Sequence, residues 1–213
     1  MEIPPDGTTT GDDGVSRCWW CGTDPLYRSY HDLEWGRPVE DDIRLFEKIC
    51  LEGFQSGLSW LTILRKRENF RRAFKSFDLE SIARFNSRSV SRLLGDAGIV
   101  RNRAKIEATI NNARRCLDLI DERGSLAAYV WSFEPRRKSQ PRRLDWKTLV
   151  QMGTSEEAKA MSKDLKRRGW AFVGPTTIYS VMESVGLAND HMSACDYRAD
   201  VERERAAFQR PST

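Results

Sequence analysis

Two short stretches, one near each end of the chain, hold residue types that bind metal ions. Cys18 and Cys21 form a CxxC pair, and His31 follows ten residues after Cys21. Near the other end, His191 and Cys195 are four residues apart, so one helical turn would place both side chains on the same side. Because structural zinc sites are closed tetrahedra of four Cys and His ligands, the spacing predicts zinc, with either Cys18 or Cys21 as a ligand. The alternative is a fortuitous or redox-active CxxC beside a histidine that merely packs.

Such a site would fasten the two ends of the folded chain together. Structural zinc contributes on the order of 10 kcal/mol to the folding of small zinc-finger peptides. We expect a larger chain with its own core to fold without the metal and to use it to hold its ends. The two remaining thiols, Cys50 and Cys116, lie in apolar runs with helical spacing and are predicted to be core residues.

A carboxylate stands where an apolar core residue is expected. Glu52 lies in the segment from Ile49 to Trp60, whose apolar residues recur at helical spacing. On a single helix, the residues close to it on the same face would be Gln55, Ser56, Ser59 and Trp60. Gly53 and Gly57 would leave room beside that face. The pattern predicts a small-molecule pocket around Glu52, and the alternative is a solvent-facing Glu52 with glycines that permit close helix packing.

Aromatic side chains are clustered just before this helix. Tyr27, Tyr30 and Trp35 fall within nine residues, and such rings have flat apolar faces with a polar edge. They are suited to stacking on a nucleobase, although aromatic residues are as often ordinary core.

Residues 166–177 combine positive charge with a glycine-containing turn between two predicted helices. Pro175 suits the first position of a helix, where its missing N–H is no loss. Gly174 permits close approach to the backbone, and the free amides of the following first turn form an anion site. We therefore predict that Val173, Gly174, Thr176 and Thr177 contact the DNA backbone, although any helix-turn-helix pair with a glycine would look similar.

The elements that must position these residues are predicted to be helices. Apolar residues recur three and four apart from residue 40 to 73, and further helices are predicted over 89–94, 103–120 and 155–168. Alternating strand patterns are scarce, and the glycine-rich signature of nucleotide-binding folds is absent. The predicted fold class is therefore all-α. We expect residues 1–16 to be a disordered leader, 17–197 a helical domain and 198–213 a charged, frayed tail. The basic stretch 136–143 is predicted to be a solvated loop or a phosphate contact.

Composition excludes several classes of protein. The 213 residues include no apolar segment of the roughly 20 residues that a bilayer span needs, and the first 14 residues do not form a secretory signal. Five cysteines are an odd number and favour a reducing compartment, so we expect a cytoplasmic protein without disulfides. The net charge of +4 permits a polyanionic partner without requiring one.

Several segments together closely resemble the bacterial 3-methyladenine DNA glycosylase I family. The resemblance runs in order from about Cys18 to Cys195. The segments that carry it are Asp24–Tyr27, Tyr30–Asp32, Glu34–Gly36, Leu51–Gly53, Gly57–Trp60, Lys66–Asn69, Trp131–Phe133 and Asn189–His191.

The resemblance implies a two-lobed helix-hairpin-helix glycosylase fold with one structural zinc per chain. The residues that match the family's zinc ligands are Cys18, His31, His191 and Cys195, so it is the likeness that favours Cys18 over Cys21. Glu52 matches the acidic residue of the base pocket, with Tyr30, Trp35 and Trp60 as its aromatic residues. We add Gln55 to the predicted base-binding residues because its carboxamide shares the predicted helix face of Glu52. The aspartate usual after the hairpin in the wider superfamily is missing in this family, and Asp190 lies near that position.

The implied activity is hydrolytic excision of 3-methyladenine from alkylated double-stranded DNA by a monomer, without strand cleavage and without a membrane partner. A base methylated at N3 is cationic, which weakens its glycosidic bond, so the enzyme needs mainly to extract and hold the base. No lysine lies in the first turn after the hairpin, where lyases of the superfamily carry their nucleophile. Two alternatives are a non-catalytic zinc-stabilised DNA-binding protein on the same scaffold and a thiol oxidoreductase using Cys18 and Cys21.

Overall fold

The computed structural model describes residues 3–136 and 143–212 of the chain. This part is mostly helical, as predicted, with one short antiparallel pair of strands, β1 (Thr8–Thr10) and β2 (Ser16–Cys18). The helices are α1 (Pro25–Leu33), α2 (Asp42–Gln55), α3 (Trp60–Ala73), α4 (Leu79–Ala83), α5 (Ser87–Gly95), α6 (Arg103–Arg123), α7 (Leu126–Trp131), α8 (Trp146–Gln151), α9 (Glu156–Arg167), α10 (Pro175–Ser184) and α11 (Arg198–Ala207). None of them is both long and apolar enough to cross a membrane.

Capping residues set the bounds of several helices where the sequence signals place them. Ser155 is the N-cap of α9, where its hydroxyl accepts a hydrogen bond from the first-turn backbone. Gly169 follows the end of that helix with a φ of 83°, a conformation that glycine adopts without strain. Pro175 is the first residue of α10. The predicted helices over 89–94 and 103–120 are confirmed as α5 and α6, each a few residues longer than expected.

The prediction of one continuous helix through Glu52 and Trp60 is wrong. Helix α2 ends at Gln55, and α3 begins at Trp60. The chain turns between them because Gly57 has a φ of 82° and Ser59 caps the new helix by accepting a hydrogen bond from Thr62 N–H at 3.2 Å. Trp60 and Glu52 therefore do not share a face of one helix, and any proximity of the two must come from packing of α3 on α2.

The predicted disorder of the leader is not what the described residues show. From residue 3 onward the leader folds back on the body of the protein, with β1 paired to β2 and Thr8 buried. Trp19 N–H donates to Gly7 O, and Asp196 N–H donates to Ser16 O at 3.0 Å. The β-branched threonines favour a strand, and Gly11 and the residues after it supply the turn.

The charged tail also differs from its prediction. Residues 198–207 form α11, and Val201 on this helix is fully buried. Arg205 is buried too, and its guanidinium donates to the carbonyl oxygens of Gly186 and Leu187 at 2.8 and 2.9 Å. A boundary at residue 197 therefore does not separate the tail from the helical body. Of the basic stretch 136–143, residues 137–142 lie outside the described residues.

Two clusters of buried side chains flank the candidate site. The larger one is built around α2, whose apolar face packs against α3, α6, α7 and α10. The smaller one contains Cys18, Tyr30, Trp35, Leu64, Leu144, Met192 and Cys195. Trp60 and Met152 pack against both clusters. Glu52, on α2, therefore lies where the main core meets a second cluster rich in aromatic and sulfur-containing residues.

Candidate active site and metal centre

The four predicted metal ligands form one buried cluster. The ligand atoms of Cys18, His31, His191 and Cys195 all lie within 4.8 Å of one another. Cys195 Sγ is 3.6 Å from both His31 Nε2 and His191 Nδ1, and Cys18 Sγ is 3.8 Å from His191 Nδ1. Zinc bonds of about 2.0–2.3 Å at tetrahedral angles place neighbouring ligand atoms about 3.3–3.8 Å apart. These three separations fit neighbouring ligands of a tetrahedral ion.

The second nitrogen of each histidine is held by another group, as is usual for metal-binding imidazoles. His31 Nδ1 donates to Asp32 Oδ1 at 2.8 Å, and His191 Nε2 donates to the Trp35 carbonyl oxygen at 3.2 Å. Arg17 in turn donates to both oxygens of Asp32 at 2.9–3.0 Å. Each imidazole is thereby fixed with one nitrogen facing the cluster.

The choice between Cys18 and Cys21, left open by spacing, is decided by position. Cys21 is buried but is not part of the four-residue cluster, and its thiol points to the Gly22 carbonyl oxygen. Hydrogen bonds from Cys18, and then from His191 and His31, lower the pKa of the Cys195 thiol, which favours the thiolate that a metal binds. Two thiols and two imidazoles are the donor set of a closed zinc site with no open position for a substrate.

Glu52 is buried on α2, with 6% of its surface exposed. Its carboxylate makes no hydrogen bond to any of the described residues, and burial raises its pKa to about 7, an effect that the nearby Lys48 opposes. A buried carboxylate without hydrogen-bond donors is costly and therefore uncommon in a packed core. Its acceptor atoms are available to a ligand that brings its own donors or positive charge.

Tyr30 on α1 and Trp60 on α3 both lie close to Lys48, one helical turn before Glu52. Their ring centroids are 5.4 Å apart, and the charge of Glu52 contributes to the raised pKa of Tyr30, after burial. Trp60 Nε1 is buried and donates to no acceptor among the described residues. A buried donor and a buried carboxylate that both lack partners among the described residues are features of a site for a planar, hydrogen-bonding ligand. Packing between helices brings Tyr30 within range of the Glu52 charge and places the Trp60 ring 5.3 Å from Lys48 Nζ, while a contact between Trp60 and Glu52 stays a prediction.

Two other predicted base-binding residues lie elsewhere. Trp35 packs on the metal cluster, with its ring centroid 4.6 Å from that of His191 and 6.2 Å from that of His31. Gln55 donates its side-chain amide to the Leu58 carbonyl oxygen at 2.6 Å, which closes the turn after α2. Neither residue has a described contact with Glu52, so their part in base binding stays a prediction.

The two glycines near Glu52 serve the backbone and the packing, and they do not create the predicted pocket space. A Cβ added at Gly53 would come within 3.3 Å of Phe172 Cβ, so this position lets the 168–174 loop pack on α2. Gly57 adopts the left-handed conformation of the turn before α3, and nothing lies within 4 Å of its missing Cβ. The interpretation of both as lining a ligand stripe is therefore wrong.

Helices α9 and α10 pack together and are joined by a short hairpin over residues 168–174. Gly174 is the N-cap of α10 and has no side chain to satisfy the first-turn amides of Thr176 and Thr177. Val173 is buried, and its carbonyl oxygen accepts a hydrogen bond from Ser162 Oγ at 2.6 Å, which fixes the loop. The predicted contact residues are therefore adjacent, with backbone N–H groups at a helix N-terminus.

The positive charge that the sequence places beside this hairpin is partly neutralised. Arg168 donates to Glu122 at 2.5 and 2.9 Å and to Asp164 at 2.6 Å. Arg167 also pairs with Asp164 but is largely exposed. Arg168 therefore stabilises the hairpin from within, and the helix N-terminus is left as the main anion-binding feature.

A separate cavity of about 510 Å³ lies beside α8, α9 and α10, and Glu52 does not line it. Tyr179 and Asp190 do, and the Tyr179 hydroxyl donates to Asp190 at 2.6 Å. The pKa of Glu183 is raised well above its usual range, first by burial and then by the charge of Asp190 and a hydrogen bond with it. Asp190 is thus held by two neighbours, and its chemistry is weaker evidence for a reaction centre than the unpaired carboxylate of Glu52.

Two residues that the sequence analysis did not single out belong to the same region. Lys48 lies one helical turn before Glu52, and its Nζ donates to the Tyr30 hydroxyl at 3.2 Å. Leu58 lies in the turn between α2 and α3 and exposes 39% of its surface. A lysine in an apolar helix four residues before a glutamate is the signal that could have drawn attention to Lys48.

Comparison with known proteins identifies the family. A model of the methyladenine glycosylase family matches residues 20–199. The chain belongs to this family. It is accordingly a glycosylase, and the resemblance of the sequence motifs is confirmed. DNA-3-methyladenine glycosylase 1 of Escherichia coli (strain K12) is 48% identical over 182 residues, which cover 85% of this chain and 96% of that protein.

Two further matches cover most of the chain. The DNA-3-methyladenine glycosylase of Haemophilus influenzae (strain ATCC 51907 / DSM 11121 / KW20 / Rd) is 42% identical over 85% of this chain and 97% of that protein. A crystal structure of a 3-methyladenine DNA glycosylase I variant in complex with 3-methyladenine matches with a TM-score of 0.79 and 34% identity, covering 85% of this chain and 97% of that chain. The methyladenine glycosylase fold thus accounts for the helical body, while β1 lies outside the residues that the family model matches.

Proposed function

We propose that this glycosylase removes 3-methyladenine from alkylated double-stranded DNA by hydrolysis, with Glu52 as the residue that holds the flipped base. The observation that carries the proposal is the buried carboxylate of Glu52, which has no hydrogen bond among the described residues and whose charge acts on Tyr30, the ring that packs against Trp60. A relative of similar fold has been crystallised with 3-methyladenine, which supports the choice of base.

The chemistry follows from the charge of the damaged nucleotide. Adenine methylated at N3 is cationic while it is attached to deoxyribose, so its glycosidic bond breaks more easily than that of an undamaged base. In a site from which water is largely excluded, an ionised Glu52 would accept hydrogen bonds from the base and complement its charge. The faces of Tyr30 and Trp60 would stack on the cation. Water then attacks the sugar carbon as the base leaves.

The approach to DNA uses two features outside the base pocket. The amides at the start of α10, around Gly174, Thr176 and Thr177, would bind a backbone phosphate. Leu58, exposed in the turn after α2, would fill the space that the flipped nucleotide leaves in the stack, as apolar wedge residues do in other DNA-binding proteins. Both act without reading the base sequence.

We propose that the reaction ends at hydrolysis, without strand cleavage. A lyase needs an amine that reaches the sugar aldehyde, and the first turn of α10 holds no lysine. Lys48 is close to the pocket, but its ammonium lies beneath the rings of Tyr30 and Trp60 and is only 6% exposed. Reduction with borohydride during turnover should therefore trap no covalent enzyme–DNA adduct.

We further propose that the cluster of Cys18, His31, His191 and Cys195 binds one structural zinc ion. The donor set and the 3.6–3.8 Å spacings fit, and Asp32 and the Trp35 carbonyl hold the two imidazoles in register. When bound, the ion would tie the segment before α1 to the segment before α11. Its closed coordination leaves it no part in the chemistry.

The test of the proposed function is release of free 3-methyladenine from DNA treated with a methylating agent. A non-catalytic DNA-binding protein on the same scaffold would bind this DNA and release nothing. The third possibility, a thiol oxidoreductase, loses support because Cys18 lies among the metal-binding residues while Cys21 does not.

A further inference from the structure

The pocket proposed for a cationic base already contains a positive charge. Lys48 Nζ lies 4.4 Å from the ring centroid of Tyr30 and 5.3 Å from that of Trp60, within the range of cation–π contacts. It also donates to the Tyr30 hydroxyl at 3.2 Å, and the residue is only 6% exposed. The ammonium thus occupies the kind of place, against two aromatic faces, that the methylated base would need.

Among the described residues, Glu52 is the carboxylate near Lys48 that has no ion pair of its own. The groups that face it are Tyr30 and Glu34 from α1 and its C-cap, Glu47 and Glu52 from α2, and Arg67 from α3. Glu34 is held by Arg67 at 2.6 Å, and Glu47 by Arg71 at 2.9 Å. Within residues 3–136 and 143–212, no carboxylate lies within ion-pair distance of Lys48.

Glu52 is likewise surrounded by titratable groups. The titratable groups that face it are Lys48 on its own helix, Tyr27 and Tyr30 on α1, and Glu183 on α10. A charged Lys48 and an ionised Glu52 give the pocket a net charge of zero. A cationic base entering this pocket would meet one attraction and one repulsion of similar range.

We propose that Lys48 is a specificity-determining residue of the base pocket: its ammonium competes with a cationic base for Glu52 and for the faces of Tyr30 and Trp60, so the base binds when Lys48 is uncharged. This inference rests on the proposed function of the pocket. Binding of the charged base then requires that Lys48 first loses a proton, whereas binding of an uncharged base does not require this proton loss.

The size of the effect follows from the state of the amine. Burial lowers the pKa of Lys48 to about 8. At pH 7 about one molecule in eleven would then have an uncharged Lys48, and the apparent affinity for a cation would be reduced by roughly that factor relative to pH 9. Ionisation of Glu52 as the pH rises acts in the same direction, because burial also raises the pKa of this carboxyl.

The experiment compares two small ligands at pH 7, 8 and 9. One is 3,9-dimethyladeninium, whose fixed charge mimics the damaged base in DNA, and the other is free 3-methyladenine, which can lose its proton and become neutral. Dissociation constants are measured by calorimetry for the wild type, Lys48→Met and Lys48→Arg. Lys159→Met, a change of the same kind at an exposed lysine on α9, is the matched control.

For the wild type, we expect affinity for the fixed cation to rise about tenfold or more from pH 7 to pH 9, with a much smaller change for 3-methyladenine. Lys48→Met should bind the cation up to about tenfold more tightly than the wild type at pH 7 and equally at pH 9. Lys48→Arg, which keeps its charge, should bind the cation weakly throughout and gain only the factor that Glu52 contributes. Lys159→Met should follow the wild type.

The inference is overturned if the wild type binds the fixed cation equally at pH 7 and pH 9, or if Lys48→Arg shows the full increase. Should excision of 3-methyladenine from DNA proceed normally in either case, only the role of Lys48 fails. If the wild type binds neither ligand and releases no base from DNA, the proposed function fails as well. Near-ultraviolet circular dichroism reports whether each variant is folded. If Lys48→Arg does not fold, the pH series of the wild type still decides whether Lys48 controls binding of the cation.

Discussion

Replacing Glu52 by glutamine is expected to lower activity and raise stability at the same time. The carboxylate is buried and has no hydrogen-bond donor among the described residues, so its charge is costly to the folded protein and useful to a bound cation. Glutamine keeps the shape and removes the charge. A hydrogen bond to a charged group is worth about 1.5–3 kcal/mol, so kcat/KM for 3-methyladenine excision should fall roughly 10- to 100-fold.

The effect on stability has the opposite sign. Burial raises the pKa of Glu52 from 4.5 to about 7, so the folded state binds this proton more tightly than the unfolded chain. Stability from this group is present below about pH 4.5 and declines as the pH rises to about 7, by at most about 3 kcal/mol. Glu52→Gln avoids that decline, although Lys48 then loses its counter-charge and the net gain is smaller. Its melting temperature at pH 8 should exceed that of the wild type by several degrees, and the difference should shrink toward pH 5.

The assay measures release of labelled 3-methyladenine from alkylated DNA alongside thermal unfolding at pH 5 and pH 8. Glu47→Gln is the matched control, since Glu47 is on the same helix and similarly buried but is paired with Arg71. It should lose stability and keep excision. If Glu52→Gln excises the base as fast as the wild type, Glu52 does not hold it, and a variant less stable at pH 8 would refute the electrostatic reasoning.

Four further variants test the DNA and metal contacts. Gly174→Leu should weaken binding of duplex DNA by a similar factor for every base sequence without lowering the melting temperature, because a Cβ there meets nothing nearer than 3.9 Å; unchanged affinity would mean that the hairpin is not the phosphate contact. Metal analysis should find about one zinc per chain, lost in Cys195→Ser and kept in Cys21→Ser, and equal loss in both would contradict the ligand set. Leu58→Ala should lower excision from duplex DNA several-fold while binding of free 3-methyladenine stays unchanged; an equal loss of both would point to a packing role instead.

The sequence predicts much of this arrangement because several signals are local. Ser155 and Pro175 carry capping preferences that depend on neighbouring backbone groups, and they lie at the helix starts where they were expected. The cluster of candidate metal ligands is also well predicted, because the four-residue spacing of His191 and Cys195 allows both side chains to lie on the same side of a turn. For Cys18, spacing left a choice that the family likeness and then the packing resolved.

Other features depend on contacts between distant segments and could not be predicted from local pattern. Leu58 keeps the spacing of apolar residues between Phe54 and Leu61, so the spacing alone does not show that α2 ends at Gln55 and α3 begins at Trp60. The leader and tail are polar and look disordered by composition, yet Thr8 and Val201 are buried against parts of the chain far away in sequence. The spacing of Lys48 from Glu52 is a local signal, but its contacts with Tyr30 and Trp60 are not, because these rings reach it from two other helices.

The most direct measurement is identification of what the wild-type protein releases from duplex DNA treated with a methylating agent, by chromatography of the free bases and gel analysis of the strands. Free 3-methyladenine together with uncleaved strands that carry abasic sites is the predicted result. Binding to the alkylated DNA without any released purine, or release coupled to strand cleavage through a borohydride-trappable amine, would contradict the account.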